Sequence, residues 1–436
     1  MRHGAWFGAV LISAALLGPR VAVAGESAFA DSKMLAAEDD LDFLAVKMMS
    51  DPVVQQARKR GEQSLVAVVP NPTAETRNRL KEAVDEITFF GVLNGLNDDP
   101  LHPRITFVGR PGRTVNGTFT LAPKGIDENP DSVYRVIPVD GASTYLIHGK
   151  ASSPRPSVND FSVLDDDWKT VGNLDGAALK ADADGSFTIT VSPDAANGRP
   201  NYIQTRAGAN YMTIRDTILD WAHEKPNRFT VERVGPAAAP LSKDEQLKKV
   251  IAKVDRYFLE TVKLHRRILA LPVNTFPQPA SAATGGQLVS QAYAPGQFSL
   301  EKGQALVLTI QPGTAKYVTV PLTNLWGVTM DPVHHASSLN LDQVVRDADG
   351  SFTVVASPVD PGVENWVDTE GLYDGFLFLR WAAIEPGKPD APKPSVDAKV
   401  VSLDALPATL AKVDATERKL LTAKRAADYD LRWTDN

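Results

Sequence analysis

The 436-residue sequence contains no cysteine. That excludes disulfides, thiolate metal sites and cysteine nucleophiles together. It has no block of consecutive basic residues longer than Arg58-Lys59-Arg60, and its formal charge is −7. Bulk electrostatics would therefore draw it neither to nucleic acid nor to anionic lipid. Past the N-terminal leader no apolar run approaches the roughly twenty residues of a membrane span, so the mature chain is not expected to be an integral membrane protein. Histidine is scarce, and only His334 and His335 are close together. Neighbours on a strand point to opposite faces and would rarely share an ion. Nucleophile-elbow, phosphate-loop and dinucleotide-binding patterns are missing as well. Neither a metal nor an organic cofactor is expected, and no catalytic residue can be assigned.

What is present begins with a leader. Arg2, a mostly apolar run from Gly4 to Leu17 and the small-x-small sequence Ala22-Val23-Ala24 read as an export signal over residues 1–24. The expected destination is the periplasm or the medium, where a cysteine-free chain would draw stability from core size instead of cross-links.

Residues 25–103 are helical in pattern. Leu41, Leu44, Val46 and Met48 lie near helical spacing; Asp51-Pro52 offers a cap and a first-turn proline for a second helix expected to end before Gly61. Leu80, Val84, Ile87, Phe90 and Leu93 then mark an amphipathic helix. From 104 to 236 the period changes to short runs rich in Thr, Val, Ile, Tyr and Phe, separated by Gly, Pro, Asn and Asp, which indicates antiparallel strands. A single long helix is expected over 241–271, with Leu247, Val250, Ile251, Val254, Phe258, Val262 and Leu269 inward. Residues 272–304 form a linker and the approach to a second strand-rich region at 305–401, and a helical segment closes the chain at 402–436.

The hexapeptide Asp-Ala-Asp-Gly-Ser-Phe occurs at 182–187 and again at 347–352. Matches continue beyond it at the same offset of 165: Ser192-Pro193 with Ser357-Pro358, and Arg215 with Arg380. A turn repeated by chance would not carry this train, so the expectation is two related β domains in tandem. The fold class is mainly β with flanking helices (α+β). Asp-Gly between strand formers suggests a hairpin bend, and a calcium loop is disfavoured because no Glu stands at the twelfth position.

The repeated arginines carry the most chemistry. Arg380 shares a strand face with Phe376 and Phe378, while Leu377 and Leu379 fill the other; Arg215 alternates with Met212 and Ile214 in the same way. A guanidinium so placed loses hydration and needs carboxylate or carbonyl partners, with Asp184, Asp349, Asp360 and Asp368 as candidates. Structural ion pairing and anion binding in a cleft are the alternative uses. Tyr202, Trp366 and Trp381 lie near the ends of these motifs, and flat aromatics beside Asn, Asp and Arg can hold sugars and amphipathic ligands. The candidate ligand-binding residues are accordingly Arg215, Arg380, Tyr202, Trp366, Asp368 and Trp381.

Ser338-Leu339-Asn340, Asp349-Gly350, Asp360-Pro361-Gly362, Asn365-Trp366, Asp368-Thr369 and Arg380-Trp381, in that order, resemble bacterial proteins of the domain-of-unknown-function family 1214. Pro130-Asp131 with Tyr134, and the stretch around Trp221, are similar to further segments of that family. The resemblance implies jelly-roll-like β-sandwich domains and no reaction. Three functions are carried forward: an exported, non-catalytic binding module for a glycan, lipid or other amphipathic small molecule; an enzyme using paired carboxylates and a buried arginine; and an assembly component, such as a homo-oligomer, whose terminal helices make subunit contacts.

Overall fold

The computed structural model describes residues 32–281, 291–385 and 392–434; the stretch 1–24, expected to be an export signal, lies outside them. It is a mixed α+β chain with several antiparallel sheets and one long helix between two β units. The N-terminal helices are α1 (Lys33–Ala36), α2 (Asp39–Met48), α3 (Pro52–Val68), α4 (Ala74–Asn78) and α5 (Leu80–Leu96). The first β unit comprises β1 (Thr106–Val108), β2 (Arg113–Val115), β3 (Thr118–Thr120), β4 (Ser132–Pro138), β5 (Thr144–Lys150), β6 (Val158–Asp165), β7 (Thr170–Asp175), β8 (Ser186–Ser192), β9 (Tyr202–Gln204), β10 (Ala209–Thr217) and β11 (Arg228–Val234). Helix α6 (Lys243–Leu269) follows. The second unit comprises β12 (Gln291–Ser299), β13 (Gln304–Gln311), β14 (Ala315–Thr323), β15 (Ser338–Asn340), β16 (Phe352–Ser357), β17 (Trp366–Asp368), β18 (Asp374–Ile384) and β19 (Ser395–Ser402), and α7 (Ala415–Leu431) closes the chain. The first strand of this unit thus falls inside the stretch that composition marks as a linker.

The two units repeat one strand order. In the first, the sheets run β1-β4-β10-β6-β7 and β11-β5-β8-β9; in the second, β12-β18-β14-β15 and β19-β13-β16-β17. Strand for strand the orders coincide, with β1 added at one edge, and both units contain the same parallel pair, β8 with β9 and β16 with β17. Each pair of sheets shares an apolar cluster: Phe161, Ile189, Met212 and Ile214 belong to the first, and Leu308, Val320, Leu377, Leu379 and Trp381 to the second.

The echoing hexapeptides occupy equivalent places. In each, the first Asp accepts from the Gly amide at 2.9 Å, and its own amide donates to the Ser carbonyl, at 2.8 Å in the first copy and 2.7 Å in the second. Gly185 (φ +87°) and Gly350 (φ +83°) occupy the left-handed region that a side chain resists. They are not bends between paired strands, however, because β7 and β15 belong to one sheet of their unit and β8 and β16 to the other. The turn carries the chain from sheet to sheet, and local turn chemistry does not reveal which strands will pair.

The helices follow their sequences with two differences. Asp51 caps α3 by accepting from the Val53 amide at 2.8 Å, but the helix runs through Gly61 to Val68. Gly61 is buried because the Phe258 ring lies where its Cβ would stand, 2.2 Å away, so the glycine serves a helix crossing instead of a helix end. On α2 the buried residues are Leu41, Asp42 and Ala45, while Leu44 is exposed. Asp42 accepts from Arg110 at 2.7 and 2.8 Å, both side chains wholly buried. Helix α6 starts with a Ser242/Glu245 capping box and buries Val250, Val254, Phe258 and Val262. Gly91 and Gly95 let α5 pass directly over Val254 and Val250.

Asp131 fastens the units together. Its wholly buried carboxylate accepts from Trp221 Nε1 at 2.8 Å, from Asn340 Nδ2 at 3.0 Å and from the Tyr317 hydroxyl at 2.6 Å. The Pro-Asp, Trp221 and Ser-Leu-Asn motifs therefore meet at one structural junction. Helix α7 is anchored nearby through Arg425, which donates to Ser338 Oγ at 2.9 Å, and Arg432, which donates to the Pro130 carbonyl at 2.8 Å. Among the described residues no helix is long and apolar enough to cross a membrane.

Candidate functional site

Strand alternation sends Met212 and Ile214 into the first β core and leaves Tyr211, Thr213 and Arg215 on the outer face of β10. On β18, Leu377 and Leu379 enter the second core while Phe376 and Phe378 face the helices; Arg380 shares that outer face. The outer faces of the two sheets enclose a cavity of about 360 Å³, roofed by α6 and by the segment preceding β4. Arg215 and Arg380, equivalent residues of the two units, both line it.

Their surroundings repeat in part. Arg215 lies across from Tyr134 of β4 and Asp160 of β6; Arg380 lies across from Tyr293 of β12 and Thr319 of β14. The Arg215 guanidinium stands 5.9 Å from the centre of the Tyr134 ring. Arg380 donates to the hydroxyl of that same tyrosine at 3.3 Å and to the Asp127 carbonyl. Burial pushes the Asp160 carboxyl up from its ordinary range, and the charge of Arg215 opposes the shift.

The four aspartates that the sequence offers as arginine partners are engaged elsewhere. Asp184 pairs with Lys150 at 3.1 Å, Asp360 with Arg418 at 2.9 Å and Asp368 with His335 at 2.7 Å, while Asp349 accepts from Ser351 Oγ at 2.6 Å. Asp184 and Asp349 stand on turns leading into the opposite sheets, away from β10 and β18.

The wall beside Arg380 is built from 125–129. Ile126 (φ +64°) and Asp127 (φ +53°) are both left-handed, a rare backbone state for a β-branched residue and one that costs about 1–3 kcal/mol. The bond from Arg380 to the Asp127 carbonyl and one from the Asp127 amide to the Gly327 carbonyl at 3.3 Å hold this conformation. Asp127 and Glu128 are buried, and neither carboxylate oxygen of Asp127 nor Glu128 Oε1 accepts a hydrogen bond among the described residues. His265 Nε2 lies 3.5 Å from Asp127. Burial raises the Glu128 pKa to about 7 against the pull of Lys124. The Tyr211 and Thr213 hydroxyls and Arg380 Nε are likewise buried with no hydrogen-bond partner among the described residues. Buried polar atoms are nearly always satisfied in a native protein, and here several without a partner belong to residues that line one cavity. Apolar surface comes from Phe90, Trp168, Tyr257, Leu264 and Phe378, with Phe90 and Tyr257 stacked at 4.0 Å.

The other residues singled out from sequence lie apart from this cavity. Trp366 and Asp368 line a second cleft of about 270 Å³ against α7; Trp366 is buried, donates to the Ser357 carbonyl at 3.1 Å and is covered by Arg418 at 5.0 Å. Trp381 is wholly buried in the second core and donates to the Gln311 carbonyl at 3.2 Å. Tyr202, on the edge strand β9, donates to the Asp194 carbonyl at 2.7 Å beneath Arg199. Tyr134 stands out in the sequence only as part of a family motif, and Tyr211, Thr213, Asp127 and Glu128 do not stand out at all. For Tyr211 and Thr213 the signal was available, since they alternate with the core residues Met212 and Ile214.

Residues 136–216 match the family described as "Protein of unknown function (DUF1214)". That match spans β4 to β10, while the motifs at 337–381 fall within the later portion of the equivalent stretch of the second unit, β15 to β18. Among solved structures, an uncharacterised protein of Burkholderia cenocepacia is similar at 22% identity and a TM-score of 0.71, covering 83% of this chain and 100% of its own. The likeness extends to the fold. A Vibrio parahaemolyticus protein aligns at 10% identity over 63% of this chain and 91% of its own, with a TM-score of 0.39, too loose to bear on the architecture. No curated protein matches the chain.

Proposed function

We propose that this chain, bearing a domain with no assigned activity, is a binding protein for a small anionic amphiphile held in the cavity between its β units. One observation carries the reading: Arg215 and Arg380, corresponding residues of the two repeats, line the same partly apolar chamber. The volume lies at the lower end of the range for small-molecule sites, and the mixture of aromatic walls with a few converging polar groups is typical of them. Two guanidiniums suit a carboxylate or phosphate head, and the rings of Phe90, Trp168 and Tyr257 suit an apolar body. The matching strand orders support a duplicated sandwich of the jelly-roll kind as the scaffold, and the leader at 1–24 supports an exported location.

Thermal denaturation with decanoate, decyl phosphate and decanol tests the reading. The two anions are expected to raise the melting temperature in a concentration-dependent manner, decanol to have little effect, and Arg380→Met to remove the difference. Equal stabilisation by decanol, or none by any probe, would defeat it. Glu128, poised near neutrality on the cavity wall, favours a second reading as a proton-transfer enzyme. Recovery of the bound probe unchanged after prolonged incubation distinguishes binding from turnover of that probe.

A further inference from the structure

Among the described residues that line the chamber, the exposed ones are Asp167, Lys169, Lys263 and Arg267. Two stand at the tip of the hairpin joining β6 to β7, and two on α6. The mouth of the chamber therefore lies between hairpin tip and helix, with Glu260 and Leu264, one turn apart, completing the helix side. Its rim carries three cations against two carboxylates, a balance that favours the approach of an anion.

Trp168 stands in this opening. Its ring packs edge-on against Tyr211 of β10 at 6.1 Å and Tyr257 of α6 at 6.0 Å. Tyr211, Thr213 and Arg215 follow one another along the outer face of β10, about 7 Å per step, so the indole packs at one end of this row and the guanidinium stands at the other. The backbone of Trp168 has φ +61°, a left-handed state that glycine adopts freely and a bulky side chain resists. The turn itself needs no indole. The Asp165 carbonyl accepts from the Trp168 amide at 3.0 Å, and Asp165 Oδ1 accepts from the Asp167 and Lys169 amides at 2.9 Å each. An outlier that the local turn leaves unexplained points to its side chain, and this side chain closes the mouth.

We infer that Trp168 is the gate of the chamber: the hairpin tip swings from α6 to admit a ligand and returns the indole to Tyr211 and Tyr257 behind it. This rests on the reading of the chamber as a ligand site and adds how that site is entered. Aromatic packing favours the closed state and the backbone opposes it, so the two are finely balanced.

The absence of cysteine makes one introduced thiol a unique reporter of access. Val136→Cys places it opposite Thr213, at a partly buried residue lining the chamber. Adding Trp168→Gly, which suits the backbone and removes the ring, is expected to speed its alkylation by iodoacetamide about 10-fold or more by easing local opening. A thiol at Val191→Cys, wholly buried in the first β core, should show no such gain. Equal rates at Val136→Cys with and without Trp168→Gly, or the same gain at both positions, overturns the inference. Should Trp168→Gly fail to fold, alkylation of Val136→Cys alone in low urea decides: a local gate gives a nearly flat rate, and a rate climbing as steeply as global unfolding overturns it. Saturating decanoate should protect the thiol. A gain from Trp168→Gly without that protection counts against the anion-binding reading and leaves the gate standing.

Discussion

Arg380 of the second β unit donates to the hydroxyl of Tyr134 in the first, at 3.3 Å. This bond crosses the seam between the repeats and sets one wall of the cavity, so it links architecture to site. The Tyr134 hydroxyl also accepts from the Asn129 amide at 3.0 Å, which ties the strained 125–129 segment to the same point.

Tyr134→Phe should therefore lower stability by about 0.5–1.5 kcal/mol, and combination with Arg380→Met should cost less than the sum of the single changes. Urea denaturation of both single variants and the double variant measures the coupling, expected at about 0.5 kcal/mol or more for groups in contact. Strict additivity would show that the two side chains act independently.

Gly95 tests the crossing of α5 and α6. An added Cβ would lie 2.4 Å from the Val250 Cα, a contact that no side-chain rotation relieves. Gly95→Ala should lower stability by about 1–3 kcal/mol, although alanine is intrinsically the better helix former by about 1 kcal/mol. A stabilised variant in urea denaturation would mean that α5 and α6 do not pass so closely.

Two buried glutamates should make stability depend on pH. Burial pushes Glu86 up to about 8 and Glu128 up to about 7, in both cases against the nearby Lys124. Glu82, Glu128 and Arg79 also act on Glu86, and Asp127 on Glu128. An unfolded glutamate titrates near 4.3, so the folded values are raised. Their contribution is full below the unfolded pKa and is lost as pH rises, by about 7 for Glu128 and about 8 for Glu86. Each group adds a slope of at most about 1.4 kcal/mol per pH unit within its window. Urea midpoints taken from pH 5 to 8 should fall, and less steeply in Glu86→Gln. Identical profiles for the two proteins would remove Glu86 from the account.

The correspondence of the two β units was legible because its marks are local. An Asp-Ala-Asp-Gly-Ser-Phe turn needs the same backbone wherever it occurs, and the alternation around Arg215 and Arg380 follows from strand geometry alone. The crossing made by each turn was not legible, since pairing depends on strands far away in the chain. Gly61 misled for a related reason: a glycine that ends a helix and one that admits a neighbouring ring look alike until Phe258 is in place. The acceptors Asp127 and Glu128 gave no sign of their burial, which depends on Arg380 and α6, both far downstream in the chain. Aromatic clustering near the motif ends attracted attention to Trp366 and Trp381, but one faces a different cleft and the other fills a core.

Because β10 and β18 offer their arginines from outer faces, a single repeat standing alone would present its guanidinium to open water. Only the doubled chain, with α6 laid across the join, turns two exteriors into one interior. The chamber in this molecule is thus a property of the pairing, and neither half inherits it.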